Sequence, residues 1–232
     1  MNEYKYFAYF YDDIFSEVCY RDWYDFVLPY LKDTSTILDL ACGSGTLAIL
    51  LKLKGYEVEG LDLSTSILEL ARKKAKMHHV AIPFYTADMT NFSLNKTYDV
   101  ITCFFDSVNF LKTEKEIKDL FSCVYQHLST NGLFIMDCFS KQMMKDYRHN
   151  KKKFRTKTHA LLWKTKQIDS STLKHTIRMK EGKETYIESY FEYYHDIKAF
   201  QPDGFEVIKI CGDFEDTLQP KDSRILMILK KL

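Results

Sequence analysis

The stretch Thr36–Lys52, TILDLACGSGTLAILLK, decides the fold. A β-branched and apolar run reaches Leu40, two glycines one residue apart (Gly43 and Gly45) follow, and an apolar pattern of helical period begins at once. That succession reads as strand, tight turn, helix. In α/β proteins such a junction is where phosphate- or ribose-bearing ligands sit.

Working outward, the first strand covers Ile37–Leu40 and its helix runs from about Gly45 to Lys54, with Gly55 as the stop. YEVEGLDLS is a second strand, after which Ser64 caps a helix that places Ile67, Leu68, Ala71 and Ala75 on one face. AIPFYTADM and YDVITCFF read as strands three and four, the latter apolar enough to be covered on both faces. Thr113 and Glu116 form a capping box for a helix burying Ile117, Leu120, Phe121, Val124 and Leu128, and Asn131-Gly132 is expected to end it. LFIMDCF is the fifth strand. Two aromatic-rich helical segments, near Tyr4–Phe15 and Tyr20–Leu31, precede the alternation. The expected class is therefore α/β, a parallel sheet with helices on both faces and a ligand cleft beyond the strands' C-terminal ends.

From Ser140 the texture changes. ALLWKTKQI, LKHTIRMK and ETYIESYF, separated by Asp-Ser-Ser-Thr and Glu-Gly-Lys turns, suggest an antiparallel β insertion. A short helix near Tyr193–Gln201 and two closing strands, FEVIKI and RILMIL, would complete the main sheet. The expected division is 1–139 with 192–232 as one domain and 140–191 as an insertion on the substrate side.

With 232 residues and 46% apolar content, the chain has material for one large core. The net charge of +1 points to no partner, although 13 Lys or Arg face 2 acids between Lys141 and Lys180. Such a block suits RNA, a phosphorylated metabolite, an acidic partner face, or merely a solvated hairpin surface. The six cysteines lack C-x-x-C spacing and have no histidine at metal-ligand spacing, so they read as reduced core thiols with no metal site. Neither a secretory leader nor an apolar run long enough to span a bilayer is apparent; the expectation is a cytoplasmic protein, away from membranes, as monomer or homodimer.

Gly43, Gly45 and Ala48 satisfy the loose dinucleotide pattern G-x-G-x-x-A, and Asp62 stands where an acid would meet a ribose. Alone that leaves NAD open. Asp39, however, lies inside the first strand's end, where a carboxylate favours an ammonium and repels a pyrophosphate. Asp62 ends the second strand as an acceptor for ribose hydroxyls, and Asp88, in TADM, ends the third as an acceptor for an adenine amino group. Acids at three successive strand ends match S-adenosylmethionine (SAM), which carries a sulfonium, an ammonium and an adenosine but no phosphate. Local alternatives exist for each: amide satisfaction by Asp39, a helix N-terminal acid at Asp62, an Asx turn at Asp88.

This motif set, with LDLACGSG as the glycine motif, resembles the class I SAM-dependent methyltransferases, which implies a Rossmann-like sheet. FYDDIFSEVCYRDW and CFFDSVNFLKT resemble small bacterial methyltransferases of the YqeM-like group and, more distantly, glycine N-methyltransferase and sugar N,N-dimethyltransferases. The resemblance implies lid contacts from Tyr11 and Trp23, the Gly43 backbone near the amino-acid moiety and Met89 beside the adenine, with Ala41, Leu63 and Phe104 completing the cofactor contacts. Phe110 stands where the sugar enzymes carry a histidine, and Asp222-Ser223-Arg224 replaces a Ser-Glu-Arg tail, keeping only the arginine.

Motif position further makes Asp106, Ser107 and Asn109 candidates to position the acceptor nucleophile, with Asp106 as base, and Arg224 a candidate to pair with a substrate carboxylate or phosphate. His195 is the one histidine in a region that approaches the pocket. Tyr147 and Lys151 spell the Y-x-x-x-K of one dehydrogenase class, but without its glycine turn. The fourth strand's end lacks an N-P-P-Y element and the chain has no Pro-Cys nucleophile, which disfavours nucleic-acid methylation. The expected function is methyl transfer to N or O of a small metabolite, with an anionic acceptor as one option. The alternatives are a SAM-binding module that engages RNA or protein through 141–180, and an NAD-dependent reductase.

Overall fold

The computed structural model describes residues 20–155 and 159–232. Tyr11 and the helical segment expected near Tyr4–Phe15 lie outside them. A seven-stranded sheet is built from β1 (Thr36–Leu40), β2 (Glu57–Asp62), β3 (Phe84–Thr86), β4 (Tyr98–Cys103), β5 (Leu128–Phe139), β10 (Phe205–Gly212) and β11 (Arg224–Lys231). Its order is β10-β11-β5-β4-β1-β2-β3. Strands β1 to β5 run parallel, and β11 pairs antiparallel with both β5 and β10. The order reverses at β1, which has β2 on one side and β4 on the other, and in open α/β sheets that reversal opens a crevice at the strand tips.

Alternation along the strands divides the core. Leu38 and Leu40 of β1 face the layer of α4 (Glu114–His127), packing with Ile101, Ile117, Leu120 and Val124. Ile37 points the other way with Val58 and Val100, against α1 (Tyr20–Val27) and α2 (Thr46–Leu53). The helix ends follow local chemistry. Ser64 Oγ accepts the Ile67 N–H to start α3 (Thr65–Met77), and Thr113 with Glu116 forms the capping box of α4.

A tight approach sits between the glycine turn and β3. A Cβ at Gly60 would lie 2.6 Å from the Phe84 ring and 2.8 Å from Cys42 Sγ. Phe84 is buried with Leu68 and Ala71, so it has little room to yield. Gly60→Ala is expected to destabilise the fold by about 1–3 kcal/mol through overpacking; chemical unfolding that shows no loss would contradict the packing.

The insertion forms a second, antiparallel sheet of β6 (Lys151–Arg155), β7 (His159–Gln167), β8 (Thr172–Glu181) and β9 (Glu184–Tyr193), in that order. Three of these strands and both turns match the expectation. Strand β6 and α5 (Lys141–Asp146), capped by Ser140, do not appear in it. Leu161, Ile177 and Met179 form this sheet's small core, while Lys151, Lys153, Arg155, Lys164, Lys166, Arg178 and Lys180 are exposed.

Three local expectations need correction. The helix expected near Tyr193–Gln201 is a single 3-10 turn, Ile197–Phe200, because β9 pairs through Tyr193 and Asp196 caps only what remains before Pro202. Helix α4 ends at His127, not at Asn131-Gly132; that pair, with Asn131 at φ 61°, lies within β5 where its register against β4 shifts. Strand β3 is three residues long, shorter than AIPFYTADM suggests.

Candidate active site

The register of β1 assembles the first part of the site. Asp39 lies opposite Thr102 of β4 and Gly60 of β2. Thr102 Oγ1 donates to Asp39 Oδ1 at 2.8 Å, and the carboxylate is only 3% exposed. Burial pushes its pKa up to about 7, with the nearby Asp62 charge adding to the effect and the Thr102 hydrogen bond opposing it. The chain then turns through Ala41 (φ 55°) and Gly43 (φ 54°), left-handed positions that direct backbone N–H groups around the strand tip.

Asp62, at the tip of β2, ties this turn to the next helix. Its Oδ2 accepts the Gly43 N–H at 2.8 Å and its Oδ1 accepts the Ser64 N–H at 2.9 Å. Burial raises this carboxyl too, against those two amides. Asp88, beyond β3, uses Oδ1 to accept from the Thr90 N–H and hydroxyl, so the Asx turn foreseen as its local role is present.

All three acids line one cavity of about 1070 Å³ between the strand tips and the second sheet. Ala41, Gly43, Leu63, Met89, Phe104, Ser107, Trp23, Asp106 and Arg224 line it as well. The structure thus brings together every described candidate but Asn109 and His195. That amide is fully buried, its Oδ1 accepting the Phe139 N–H and its Nδ2 donating to the Tyr193 carbonyl; it staples the two sheets and does not reach the cavity.

Arg224 also departs from expectation. Its guanidinium donates to both oxygens of Asp106 (2.8 and 3.1 Å) and to Asp137 Oδ2 at 2.5 Å. A fork engaged by two carboxylates is used within the protein and has no charge left for a substrate anion. The same contact argues that Asp106 is ionised: burial pushes its carboxyl up, but bidentate pairing with Arg224 needs the carboxylate. Trp23 is a fixed wall more than a lid. It is 5% exposed, stacks on Phe105 at 4.0 Å, donates Nε1–H to Asp137 at 2.7 Å and lies under the Arg224 guanidinium.

Asp137, fully buried, is the residue that sequence reasoning missed; the signal was an acid inside the apolar strand LFIMDCF. Besides Trp23 and Arg224 it accepts the N–H groups of Phe105 and Asp106. Those two residues sit at φ 58° and 59°, a left-handed pair costing on the order of 1 kcal/mol or more each. Asp137 offsets that strain and fixes the shape of the β4 tip. The histidine expectation also shifts: His195 lies on the Leu111 carbonyl at 2.7 Å, whereas His175 lines the cavity.

The donor set suits a cationic nucleoside without phosphate. Carboxylates stand at three strand tips, and the glycine-turn residues that line the cavity include no lysine or arginine. Fold and site together define a class I SAM-dependent methyltransferase. Residues 37–132 match the family profile described as methyltransferase domain. A Geobacillus sp. (strain WCH70) protein named as a methyltransferase is 31% identical, over 98% of this chain and 99% of its own. Bacillus subtilis YqeM, likewise named as a methyltransferase, is 34% identical over 59% of this chain and 56% of its own. A Clostridium acetobutylicum protein whose crystal structure is described as a SAM-dependent methyltransferase superposes with a TM-score of 0.84, at 24% identity and 99% coverage of both chains. The chain belongs to the SAM-dependent methyltransferase family.

Proposed function

We propose that this enzyme methylates a nitrogen or oxygen of a small molecule held in the chamber between the β4 tip and the insertion sheet, with Asp39, Asp62 and Asp88 binding SAM. The observation that carries the reading is the single cavity that joins the three acidic strand tips to the far sheet. SAM when bound supplies an electrophilic methyl group on a sulfonium. The chain's own task is alignment and exclusion of water. Asp39 would meet the ammonium and Asp62 the ribose hydroxyls, while Asp88 and Met89 border the adenine; Phe104, Trp23 and the Asp106–Arg224–Asp137 group wall the centre.

An anionic acceptor, by contrast, gains no support. Among the described residues the cavity is lined by seven acidic and three basic ones, and one of the three, Arg224, is already paired. A neutral or cationic acceptor suits that field better.

Calorimetry with S-adenosylhomocysteine tests the reading. Micromolar binding is expected, and Asp62→Ala is expected to weaken it about 100-fold, since it removes a ligand contact and leaves the Gly43 and Ser64 amides without their acceptor. Unchanged affinity in that variant, or no binding by the unaltered chain, would reject the reading.

A further inference from the structure

On the roof of the chamber the insertion sheet holds a polar chain that none of the readings above uses. His175 of β8 is 2% exposed, and its Nδ1 lies 2.9 Å from Trp163 Nε1 and 3.1 Å from Thr165 Oγ1. An indole N–H only donates, so Nδ1 must accept and the ring hydrogen resides on Nε2. That Nε2 is buried without a hydrogen-bond partner among the described residues, and Glu192 Oε2 of β9 stands 3.0 Å away, outside hydrogen-bond geometry. Tyr190 stacks on the imidazole at 4.6 Å and holds its plane.

The Glu192 side chain is 12% exposed and lines the cavity, as does Asp106 at the β4 tip. It therefore faces the same chamber as the β4 tip. Asp106 has both oxygens in the Arg224 fork and is a poor proton acceptor. Glu192 is held beside an N–H dipole but not consumed by it.

We propose that Glu192 takes the proton lost by the methyl acceptor, with His175 as the residue that positions it. The proposal rests on the methyltransferase reading and deepens it. As the acceptor's nitrogen or oxygen bonds to the methyl carbon, the carbon–sulfur bond breaks with its electron pair left on sulfur, and the N–H or O–H proton passes to the Glu192 carboxylate. The acceptor class follows: a small molecule with a protic nitrogen or oxygen and an apolar face to lie against Phe110, Tyr190 and Trp163.

The test uses the full chain loaded with S-adenosylhomocysteine and two probe pairs, benzylamine against trimethylbenzylammonium and phenol against anisole. Each pair differs in its N–H or O–H donors and not in charge. Fragments of this size bind at about millimolar affinity, and loss of a hydrogen bond to a carboxylate should weaken the methylated partner roughly tenfold. That discrimination should vanish in Glu192→Met. In His175→Phe that discrimination should shrink, and the Glu192 carboxyl ¹³C resonance should move at fixed pH from its position in the unaltered chain. Equal binding within both pairs, discrimination that survives Glu192→Met, an unmoved Glu192 resonance in His175→Phe, or absence of protic-probe binding would overturn the assignment. If Glu192→Met does not fold, the probe pairs and the Glu192 ¹³C resonance on adding benzylamine decide, and an unmoved resonance overturns it. Homocysteine-nucleoside binding on the same samples separates the two claims, because its loss from the unaltered chain sinks the methyltransferase reading, whereas its retention without discrimination sinks only the role of Glu192.

Discussion

Arg224→Met is expected to cost about 3–5 kcal/mol of stability at pH 8, because it leaves the buried Asp137 and the adjacent Asp106 without their shared cation. The packing loss is smaller, since methionine still covers the Trp23 face. The electrostatic origin has a signature in pH. Without the guanidinium, nothing cationic opposes the upward push of burial on the Asp106 carboxyl, so its protonation favours the native state. That contribution is present at low pH and is lost as pH rises through the raised Asp106 value. The deficit against the unaltered protein should therefore shrink between pH 8 and pH 5, and Asp106→Asn in the same chain should recover part of it. Urea unfolding at the two pH values measures this; a deficit below 1 kcal/mol, or one indifferent to pH, would show that the pair matters little.

That site also marks what the sequence does and does not disclose. Asp106 and Arg224 are each visible as candidates, one beyond an apolar strand and the other opening the last strand. Their pairing spans 118 positions and exists only because β11 lies antiparallel beside β5. Nothing local encodes it, so each was assigned a partner in the substrate and not in the other. Asn109 fails in the same way: a polar residue after a strand end reads as functional until the second sheet supplies the Tyr193 carbonyl that occupies it. Features decided within four residues, such as the Ser64 cap and the Thr113–Glu116 box, are legible. The acids at the strand tips are legible for a related reason, because strand, turn and helix order alone carries those positions to one edge of the sheet. His175 and Glu192 are not, since an alternating strand shows which residues share a face but not which face meets the cleft.

Asp39→Asn is expected to stabilise the protein while nearly abolishing SAM binding. In the free protein this carboxyl is raised from 3.8 to about 7 by burial. At pH 8 it is ionised without a compensating cation among the described residues, which costs the native state on the order of 2–4 kcal/mol. Its favourable contribution exists only below the unfolded pKa and disappears as pH rises through about 7. Asparagine keeps the shape and an oxygen for Thr102 Oγ1, so the gain should be largest at pH 8 and fade towards pH 5. Cofactor binding runs the opposite way. A ligand bearing ammonium and sulfonium charges selects the ionised form, so the unaltered protein must release a proton on binding whenever the pH is below 7. One such proton makes SAM bind about tenfold more weakly at pH 6 than at pH 8, with calorimetric heats that depend on the buffer's ionisation enthalpy. In Asp39→Asn the residual affinity should be at least about 100-fold lower, with neither pH nor buffer dependence attributable to this site. Equal affinities at the two pH values, or a variant less stable than the parent at pH 8, would mean that Asp39 serves the strand end and not the ligand. A native state made less stable by an ionised Asp39 is what a binding role for that charge would require.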